Sequence, residues 1–147
     1  GRWLAEELDL PFIDTDDRVL EYLGLDSVRR AWKEVGEDGW RTAEFHVIPP
    51  LLEQEAVIAF GGGAPLIAEI QHALGSVEIV FNLTADEEST LRRIELGDDR
   101  PELAESNLQT RLERLPLYAM LGTCAVETSG EVDDCKVRIL DFLEHGL

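Results

Sequence analysis

The feature that most limits the fold is a repeated alternation of short apolar segments with stretches of helical periodicity. Apolar runs suited to β-strands lie at 10–13, 56–60, 76–81 and 123–128. Between them, apolar side chains recur at the three- and four-residue spacing of helices, for example over 64–74 and 132–145. Strands joined by helices form parallel sheets that helices cover on both faces. The sequence therefore predicts an α/β fold, an α/β/α sandwich around a parallel sheet.

The other helices are predicted from periodicity and from residues that start or stop helices. They cover 2–8, a segment closed by Gly24, a segment from Asp26 or Ser27 through Val35, and 40–55, 86–96 and 107–120. Pro49 and Pro50 are expected to kink or break the helix over 40–55, because proline lacks the backbone donor that a helix needs. A turn-rich loop is expected at 97–101.

Length and charge narrow the possible functions. The 147 residues suit a single domain over 1–147, and the formal net charge of −18 argues against nucleic-acid binding, which needs a basic face. No apolar run reaches the roughly 20 residues of a membrane-spanning helix. Cys124 and Cys135 show no metal-binding or disulfide spacing, which fits a reducing cytoplasm. Among 13 basic residues, arginine predominates, and arginine suits a pocket for a small anion.

Polar clusters follow two of the predicted strands. Asp14 and Asp16 leave the first strand, and Gly61–Gly63 follow the strand over 56–60. Ligands of parallel sheets bind at the carboxyl ends of the strands. Strand alternation would point both carboxylates the same way, to hold a metal-bound water or to take a proton from a hydroxyl group; the alternative is a helix cap.

The three glycines have two interpretations. They allow backbone to approach a ligand closely, or they form a flexible turn. No Lys-Ser or Lys-Thr follows them, so they are not a phosphate-binding P-loop. Each of Arg41, Arg100 and Arg114 by itself is more often a solvated surface side chain. Together with the carboxylates at the strand end and the glycine loop, the three are candidates to bind an anion.

Five short motifs occur in an order that resembles the shikimate kinase family, over residues 1 to about 130. They are PheIleAspThrAsp, TrpArgThrAlaGlu, IleAlaPheGlyGlyGly, ArgProGluLeu and ArgLeuProLeuTyr. The resemblance implies a nucleoside-monophosphate-kinase-like P-loop fold with a five-stranded parallel sheet and a lid at about 97–107. It also implies a monomeric cytoplasmic enzyme of chorismate and aromatic amino acid biosynthesis. Such an enzyme transfers the γ-phosphoryl group of ATP, with Mg²⁺, to the 3-hydroxyl of shikimate.

The resemblance assigns roles on the shikimate side of the site. Asp16 resembles the carboxylate that binds the shikimate hydroxyls and serves as the base. Arg41 and Arg114 resemble the two arginines that bind the shikimate carboxylate, and Glu44 resembles the acid that orients the first of them. The glycine loop, through Gly61 and Gly62, resembles the segment whose backbone contacts the substrate.

The resemblance also assigns roles on the nucleotide side. Arg100 resembles the lid arginine that contacts the transferring phosphate, and Arg92 resembles an arginine beside ATP. Asp14 matches the acid that supports Mg²⁺ through water. These assignments agree with phosphoryl-transfer chemistry, which depends on positioning and on stabilisation of negative charge.

One departure from the family pattern is large. The first strand and its GxxGxGKST-type loop, with the lysine and the Ser or Thr ligand of magnesium, do not occur in these 147 residues. The expectation is an N-terminally truncated shikimate kinase that is active in its full form and inactive without the P-loop. The alternatives are a non-catalytic shikimate-binding or regulatory module, and another small-molecule kinase of this fold such as gluconate kinase. The pair Arg41 and Arg114 favours a carboxylated ring as substrate.

Overall fold

The structure is a computed structural model that describes residues 1–84 and 104–145, with backbone alone at 104–111. The described residues fall into two compact units, residues 1–77 and residues 78–84 with 104–145. Each unit contains one parallel pair of strands. The predicted α/β architecture with parallel strands is therefore present, and the hydrogen bonds of the described strands join them in two pairs rather than in one continuous sheet.

The first unit consists of helices and two strands. Its elements are α1 (Arg2–Leu8), β1 (Phe12–Asp14), α2 (Thr15–Leu23), α3 (Val28–Leu51), β2 (Val57–Ala59), a 3₁₀ turn (Ala64–Leu66) and α4 (Ala68–Leu74). Strands β1 and β2 are parallel, with Phe12 opposite Val57 and Asp14 opposite Ala59. Because the strands run in the same direction, the segments that follow Asp14 and Ala59 leave from the same edge of the sheet.

The ends of the helices in this unit agree with the signals in the sequence. Helix α1 has the predicted bounds, and α2 ends at Gly24, whose φ of 70° is left-handed. Of the two candidate caps for α3, Ser27 is the residue used: its Oγ accepts a hydrogen bond of 3.2 Å from the N–H of Arg30. These are local interactions, which explains why the sequence predicts them well.

Helix α3 differs from prediction at its middle and at its end. The two helices expected over this range are one run, and its non-helical residue is Gly36, with φ 71° and ψ −178°. The expectation that Pro49 and Pro50 break a helix reaching residue 55 is wrong. The helix continues through both prolines and ends at Leu51. The missing proline donors therefore affect the last turn of the helix alone.

The core of the first unit lies between α2 and α3. Val19, Ala31, Trp40 and Ala43 are its buried side chains, and Trp32 is among the half-buried residues that pack against them. Two polar side chains are also buried among the described residues, Thr15 and Glu44. Buried polar groups need hydrogen-bond partners, so both point to specific contacts.

The second unit contains β3 (Phe81–Thr84), α5 (Ala104–Leu121), β4 (Cys124–Glu127) and α6 (Val132–His145). Strands β3 and β4 are parallel, with Phe81 opposite Cys124 and Thr84 opposite Glu127. Helix α6 has the predicted bounds, and α5 starts three residues before the predicted Asn107. No described helix is both long enough and apolar enough to cross a membrane.

The prediction of a buried strand over 76–81 is wrong. The strand covers Phe81–Thr84, and Leu83 within it is 55% exposed. The register is fixed by the partner strand: the N–H of Thr123 donates to the carbonyl of Val80 at 2.7 Å, and Thr123 Oγ1 accepts from the Val80 N–H at 3.0 Å. Hydropathy along one segment does not contain this pairing information.

Candidate functional site

Asp14 and Asp16 are placed at the carboxyl end of β1 by the start of α2. Asp14 ends the strand, and its Oδ1 accepts a hydrogen bond of 2.9 Å from the backbone N–H of Asp16. Asp14 is thus the cap of α2, and Asp16 lies in the first helical turn rather than in a continued strand. The alternation expected from an extended backbone is therefore wrong, because the helix begins at Thr15.

The glycine loop lies against Asp16. A Cβ atom placed on Gly61 would be 2.6 Å from Asp16 Oδ1, closer than Cβ atoms approach other heavy atoms. The backbone N–H of Gly61 donates to Oγ1 of the fully buried Thr15 at 3.2 Å. This hydrogen bond joins the segments that follow β1 and β2, and it holds the Asp16 carboxylate against the loop. Sequence reasoning missed Thr15, whose signal is a small polar residue between two acids at a strand end.

Arg41 and Glu44 form an ion pair on α3 that also reaches the glycine loop. Arg41 Nη1 donates to Glu44 Oε1 at 2.5 Å, and Nη2 lies 3.8 Å from Oε1 of the exposed Glu37. The Glu44 side chain is 1% exposed and that of Arg41 is 21% exposed. A Cβ atom on Gly63 would lie 2.0 Å from Arg41 Nη2. The guanidinium group therefore occupies the space that a side chain at position 63 would need.

The electrostatics of Glu44 show that these groups are near one another. Burial raises the pKa of the Glu44 carboxyl group above its ordinary value, and the hydrogen bond and positive charge of Arg41 oppose this shift. The negative charge of Asp16 raises the pKa further. Asp16, Arg41 and Glu44 thus belong to one electrostatic neighbourhood, beside the loop of Gly61 and Gly63.

This neighbourhood, which we call the Asp16–Arg41 site, combines complementary chemistry. Asp16 is half-buried and offers carboxylate oxygens that accept hydrogen bonds from hydroxyl groups. Arg41 offers a guanidinium group whose fork of N–H donors matches a carboxylate or a phosphate. Gly62 is exposed between the buried Gly61 and Gly63, so the glycine loop reaches the surface of the site. The site is suited to a small molecule that carries both an anionic group and hydroxyl groups.

A sequence model of the family described as Shikimate kinase matches residues 1–144. The chain belongs to the shikimate kinase family. The shikimate kinase of Francisella tularensis subsp. novicida is 36% identical over 151 residues, which cover 97% of this chain and 85% of that protein. The shikimate kinase of Francisella philomiragia has the same identity and coverage. These matches favour this family over gluconate kinase.

Solved structures of shikimate kinases share the fold. The Acinetobacter baumannii enzyme, solved in complex with shikimate, matches with a TM-score of 0.87 and 31% identity over 100% of this chain and 86% of that one. The Aquifex aeolicus enzyme matches with a TM-score of 0.82 and 27% identity, over 98% of this chain and 87% of that one. The fold class predicted from the sequence is confirmed.

The remaining predicted site residues of this shikimate kinase chain are Arg114, Arg92 and Arg100. Arg114 is a half-buried residue of α5, in the second unit. Arg92 and Arg100 lie outside the described residues, as do the predicted helix over 86–96 and the loop over 97–101. Of the predicted lid at 97–107, only the backbone from residue 104 is described, and it forms the start of α5.

Magnesium and ATP are bound by different protein groups: carboxylate oxygens for magnesium, and a P-loop for the phosphates of ATP. Asp14 has one carboxylate oxygen in its cap hydrogen bond, and carboxylate oxygen is the donor that Mg²⁺ prefers. In the described parts of the chain, no three His, Cys, Asp or Glu side chains converge to hold a metal. The Asp14 carboxylate would be able to accept a hydrogen bond from a water molecule bound to Mg²⁺. The sequence contains no Gly-Lys-Ser or Gly-Lys-Thr to hold the ATP phosphates.

Proposed function

We propose that the Asp16–Arg41 site binds shikimate and that this chain carries the shikimate-binding part of an ATP-dependent shikimate 3-phosphotransferase. The observation that supports this most is the arrangement of Asp16, the Arg41–Glu44 pair and the glycine loop in one neighbourhood. Shikimate is a ring that bears one carboxylate and several hydroxyl groups. The site offers one cationic and one anionic group at its border, as such a ligand requires.

Arg41 is proposed to bind the shikimate carboxylate. Its bond to Glu44 uses Nη1, and the guanidinium group retains other N–H donors for a second carboxylate. Glu44 is buried and cannot move freely, so it fixes the direction in which those donors point. Arg114 is proposed as a second contact to the same carboxylate, and the backbone of Gly61 and Gly62 as a contact to the ring.

Asp16 is proposed to orient the 3-hydroxyl and to accept its proton. The hydroxyl oxygen forms a bond to the γ-phosphorus of ATP, the bond from that phosphorus to the β–γ bridging oxygen breaks, and ADP leaves. The proton of the hydroxyl passes to Asp16. Its carboxylate lies against Gly61 and within electrostatic range of Glu44, so we propose that it is positioned before the substrate arrives.

Negative charge on the phosphates requires further partners. Mg²⁺ bound with ATP neutralises part of this charge, and Asp14 is proposed to support it through water. Arg100 in the lid at about 97–107 is proposed to contact the transferring phosphate, and Arg92 to lie beside the nucleotide. The 147 residues contain no P-loop sequence, so we propose that by themselves they bind shikimate but turn over ATP negligibly.

The cellular setting is proposed from composition and family. Cys124 and Cys135 are free thiols, as is usual in a reducing cytoplasm. We propose a cytoplasmic, monomeric enzyme of aromatic amino acid biosynthesis, organised as one shikimate-kinase-like domain over 1–147. Its partners are the small molecules shikimate and ATP.

Isothermal titration of the 147-residue chain with shikimate tests the proposal. The wild-type chain is expected to bind, and Arg41→Ala is expected to abolish binding, because the ligand carboxylate loses its bidentate partner. Arg29→Ala, an exposed arginine on the same helix, is the matched control and should bind as the wild type does. Absence of binding by the wild type, or equal binding by Arg41→Ala, would overturn the proposal.

A further inference from the structure

Trp32 and Arg41 are nine residues apart on α3, and the helix is broken between them. In a continuous α-helix, residues nine apart are separated by about 13.5 Å along the axis and project from opposite faces. Here the Arg41 Cζ atom lies 5.7 Å from the centroid of the Trp32 ring. The non-helical backbone of Gly36, between the two residues, redirects the chain and brings them together.

The contact between Trp32 and Arg41 has the geometry of a cation–π interaction. A guanidinium group within about 6 Å of an indole centroid is attracted by the negative face of the ring. The Trp32 ring itself packs against the buried residues of α2 and α3, so it does not move freely. The Arg41 side chain is only 21% exposed, so solvent screens its attraction to the ring weakly.

Arg41 therefore has several neighbours. Glu44 accepts a hydrogen bond from Nη1, Glu37 Oε1 lies 3.8 Å from Nη2, and the Trp32 ring lies within cation–π range of Cζ. The hydrogen bond to Glu44 and the longer contact with the exposed Glu37 still leave the guanidinium plane some freedom to rotate. A ring beside Cζ restricts this freedom, because the cation is attracted to the face of the ring and not to its edge.

We propose that Trp32 is a positioning residue for Arg41, brought to it by the break at Gly36, and that it sets the guanidinium plane for bidentate contact with the substrate carboxylate. This inference rests on the proposed function of the Asp16–Arg41 site. Trp32 lies on the segment of α3 before the break and Arg41 on the segment after it, so both segments contribute to binding of the carboxylate. It also ties substrate affinity to the shape of α3.

Substitution of the ring tests the proposal on the full 147-residue chain. Trp32→Leu keeps an apolar side chain and removes the π face, whereas Trp32→Phe keeps a smaller ring and most of the packing. Shikimate affinity should fall about 3- to 30-fold in Trp32→Leu and less in Trp32→Phe. Trp3→Leu, the same substitution on α1, is the matched control and should leave affinity unchanged.

A purely structural role for Trp32 predicts a different pattern, which a second ligand reveals. The carboxamide analogue of shikimate has the same ring but no carboxylate for Arg41. Its affinity should change less than about twofold in Trp32→Leu, since the lost orientation matters only for bidentate contact. Equal weakening of shikimate and of the carboxamide would mean that Trp32 supports the site as a whole, and would overturn the proposal.

The Arg41 Nε–H resonance gives a readout that needs no ligand. It is identified by its loss in Arg41→Lys, and the Trp32 ring should shift it from the position of a solvated arginine. The shift should disappear in Trp32→Leu and be reduced in Trp32→Phe. An Nε–H resonance that stays in place in Trp32→Leu would overturn the proposal. If the wild-type chain binds no shikimate, the proposed function fails, and this resonance still decides whether Trp32 holds Arg41.

Discussion

The carboxylate of Glu44 lies one helical turn from Arg41 and accepts a 2.5 Å hydrogen bond from its Nη1 atom, in a position where the Glu44 side chain is 1% exposed. Burial alone would favour the neutral acid, and Arg41 favours the ion. The pair therefore has two opposing effects. Burying the pair costs free energy of folding. The pair also fixes Arg41, the group that is proposed to bind the substrate.

Replacing the buried charge should affect binding more than stability. Glu44→Gln keeps the size of the side chain and removes its charge. We expect the free energy of unfolding at pH 7 to change by less than about 1 kcal/mol, because relief of the buried charge offsets the weaker hydrogen bond. Shikimate affinity should fall about tenfold, since a neutral amide orients Arg41 less strongly. Urea unfolding and isothermal titration measure the two quantities.

Glu34 provides the matched control for this substitution. It is exposed on the same helix, and its Oε1 pairs with Nε of Arg30 at 2.9 Å. An exposed pair contributes little, so Glu34→Gln should alter stability by less than about 1 kcal/mol and leave binding unchanged. Equal losses of shikimate affinity in the two variants would contradict a special role for the buried pair.

The raised pKa of Glu44 makes a prediction about pH. The folded state holds this proton more tightly than the unfolded state, whose pKa is near the ordinary value of 4.5. In the window just above 4.5, the native state is protonated and the unfolded state is not. The contribution of Glu44 to the free energy of unfolding therefore falls as pH rises through this window. Lowering the pH through this window should raise the free energy of unfolding and weaken the interaction of Glu44 with Arg41.

The pH effect is isolated by comparison with Glu44→Gln, because 31 acidic residues titrate in the same chain. The free energy of unfolding of the wild type, relative to that of Glu44→Gln, should increase as the pH is lowered from 7 toward 5. The ratio of their shikimate affinities should move toward one over the same range. A stability difference that is constant with pH would show that Glu44 has an ordinary pKa.

The sequence predicted the elements that depend on local signals. Helices α1 and α6 have the predicted bounds, and Gly24 and Ser27 act as the end and the start of helices. The order of motifs led to Asp16, Arg41 and Glu44, and these residues do lie near one another. Their proposed roles stay predictions, to be tested by the variants described here.

The features that the sequence did not predict depend on contacts distant along the chain. Strand β3 follows the hydrogen bonds of Val80 with Thr123, 43 residues away, and not its own hydropathy. The bond from Gly61 to Thr15 spans 46 residues. The break of α3 lies at Gly36, because its φ of 71° suits glycine, whereas the prolines fall near the end of the helix and need no break.

The close approach of Arg41 to the glycine loop predicts a variant that folds but does not bind. Gly63 has an ordinary φ of −91°, so alanine is not strained in the backbone there. Its Cβ would lie 2.0 Å from Arg41 Nη2, and the guanidinium group must move away. This group is the end of a flexible side chain, but moving it weakens its pair with the buried Glu44, so we expect about 1–3 kcal/mol of lost stability. Shikimate affinity should fall at least about tenfold.

Gly130→Ala controls for the general effect of replacing a glycine. A Cβ at Gly130 meets nothing within 4 Å, and the residue lies outside the Asp16–Arg41 site. It should match the wild type in binding. If Gly63→Ala bound shikimate as well as Gly130→Ala does, the position of the guanidinium group would be irrelevant to the ligand.

The break in α3 predicts that asparagine destabilises the protein more at Gly36 than at Gly24. Gly24 has φ 70° and ψ 31°, in the left-handed region that asparagine adopts at moderate cost. Gly36 has a similar φ of 71° but a ψ of −178°, a region that is open essentially to glycine alone. Gly36→Asn should therefore lower the free energy of unfolding by about 1–3 kcal/mol, and Gly24→Asn by less than about 1 kcal/mol.

Urea unfolding of the two asparagine variants measures this difference. A Cβ at either position meets nothing within 4 Å, so steric contacts do not confuse the comparison. Gly36→Asn should also weaken shikimate binding, because the break brings Trp32 to Arg41. Equal stability of the two variants would indicate that α3 accepts a helical residue at position 36.

These 147 residues should not turn over ATP by themselves. These 147 residues contain two lysines, Lys33 and Lys136, and neither is preceded by glycine or followed by Ser or Thr. Phosphates of ATP are held in P-loop enzymes by a nest of backbone N–H groups and by a lysine. The chain by itself should therefore bind shikimate and form no phosphorylated product above the level of Asp16→Asn, in which the proposed base is neutral. Phosphorus NMR of shikimate with ATP and Mg²⁺ measures the product directly. Product formed by the wild type and absent with Asp16→Asn would contradict the prediction, and would mean that residues outside the P-loop pattern hold the γ-phosphate in line with the 3-hydroxyl.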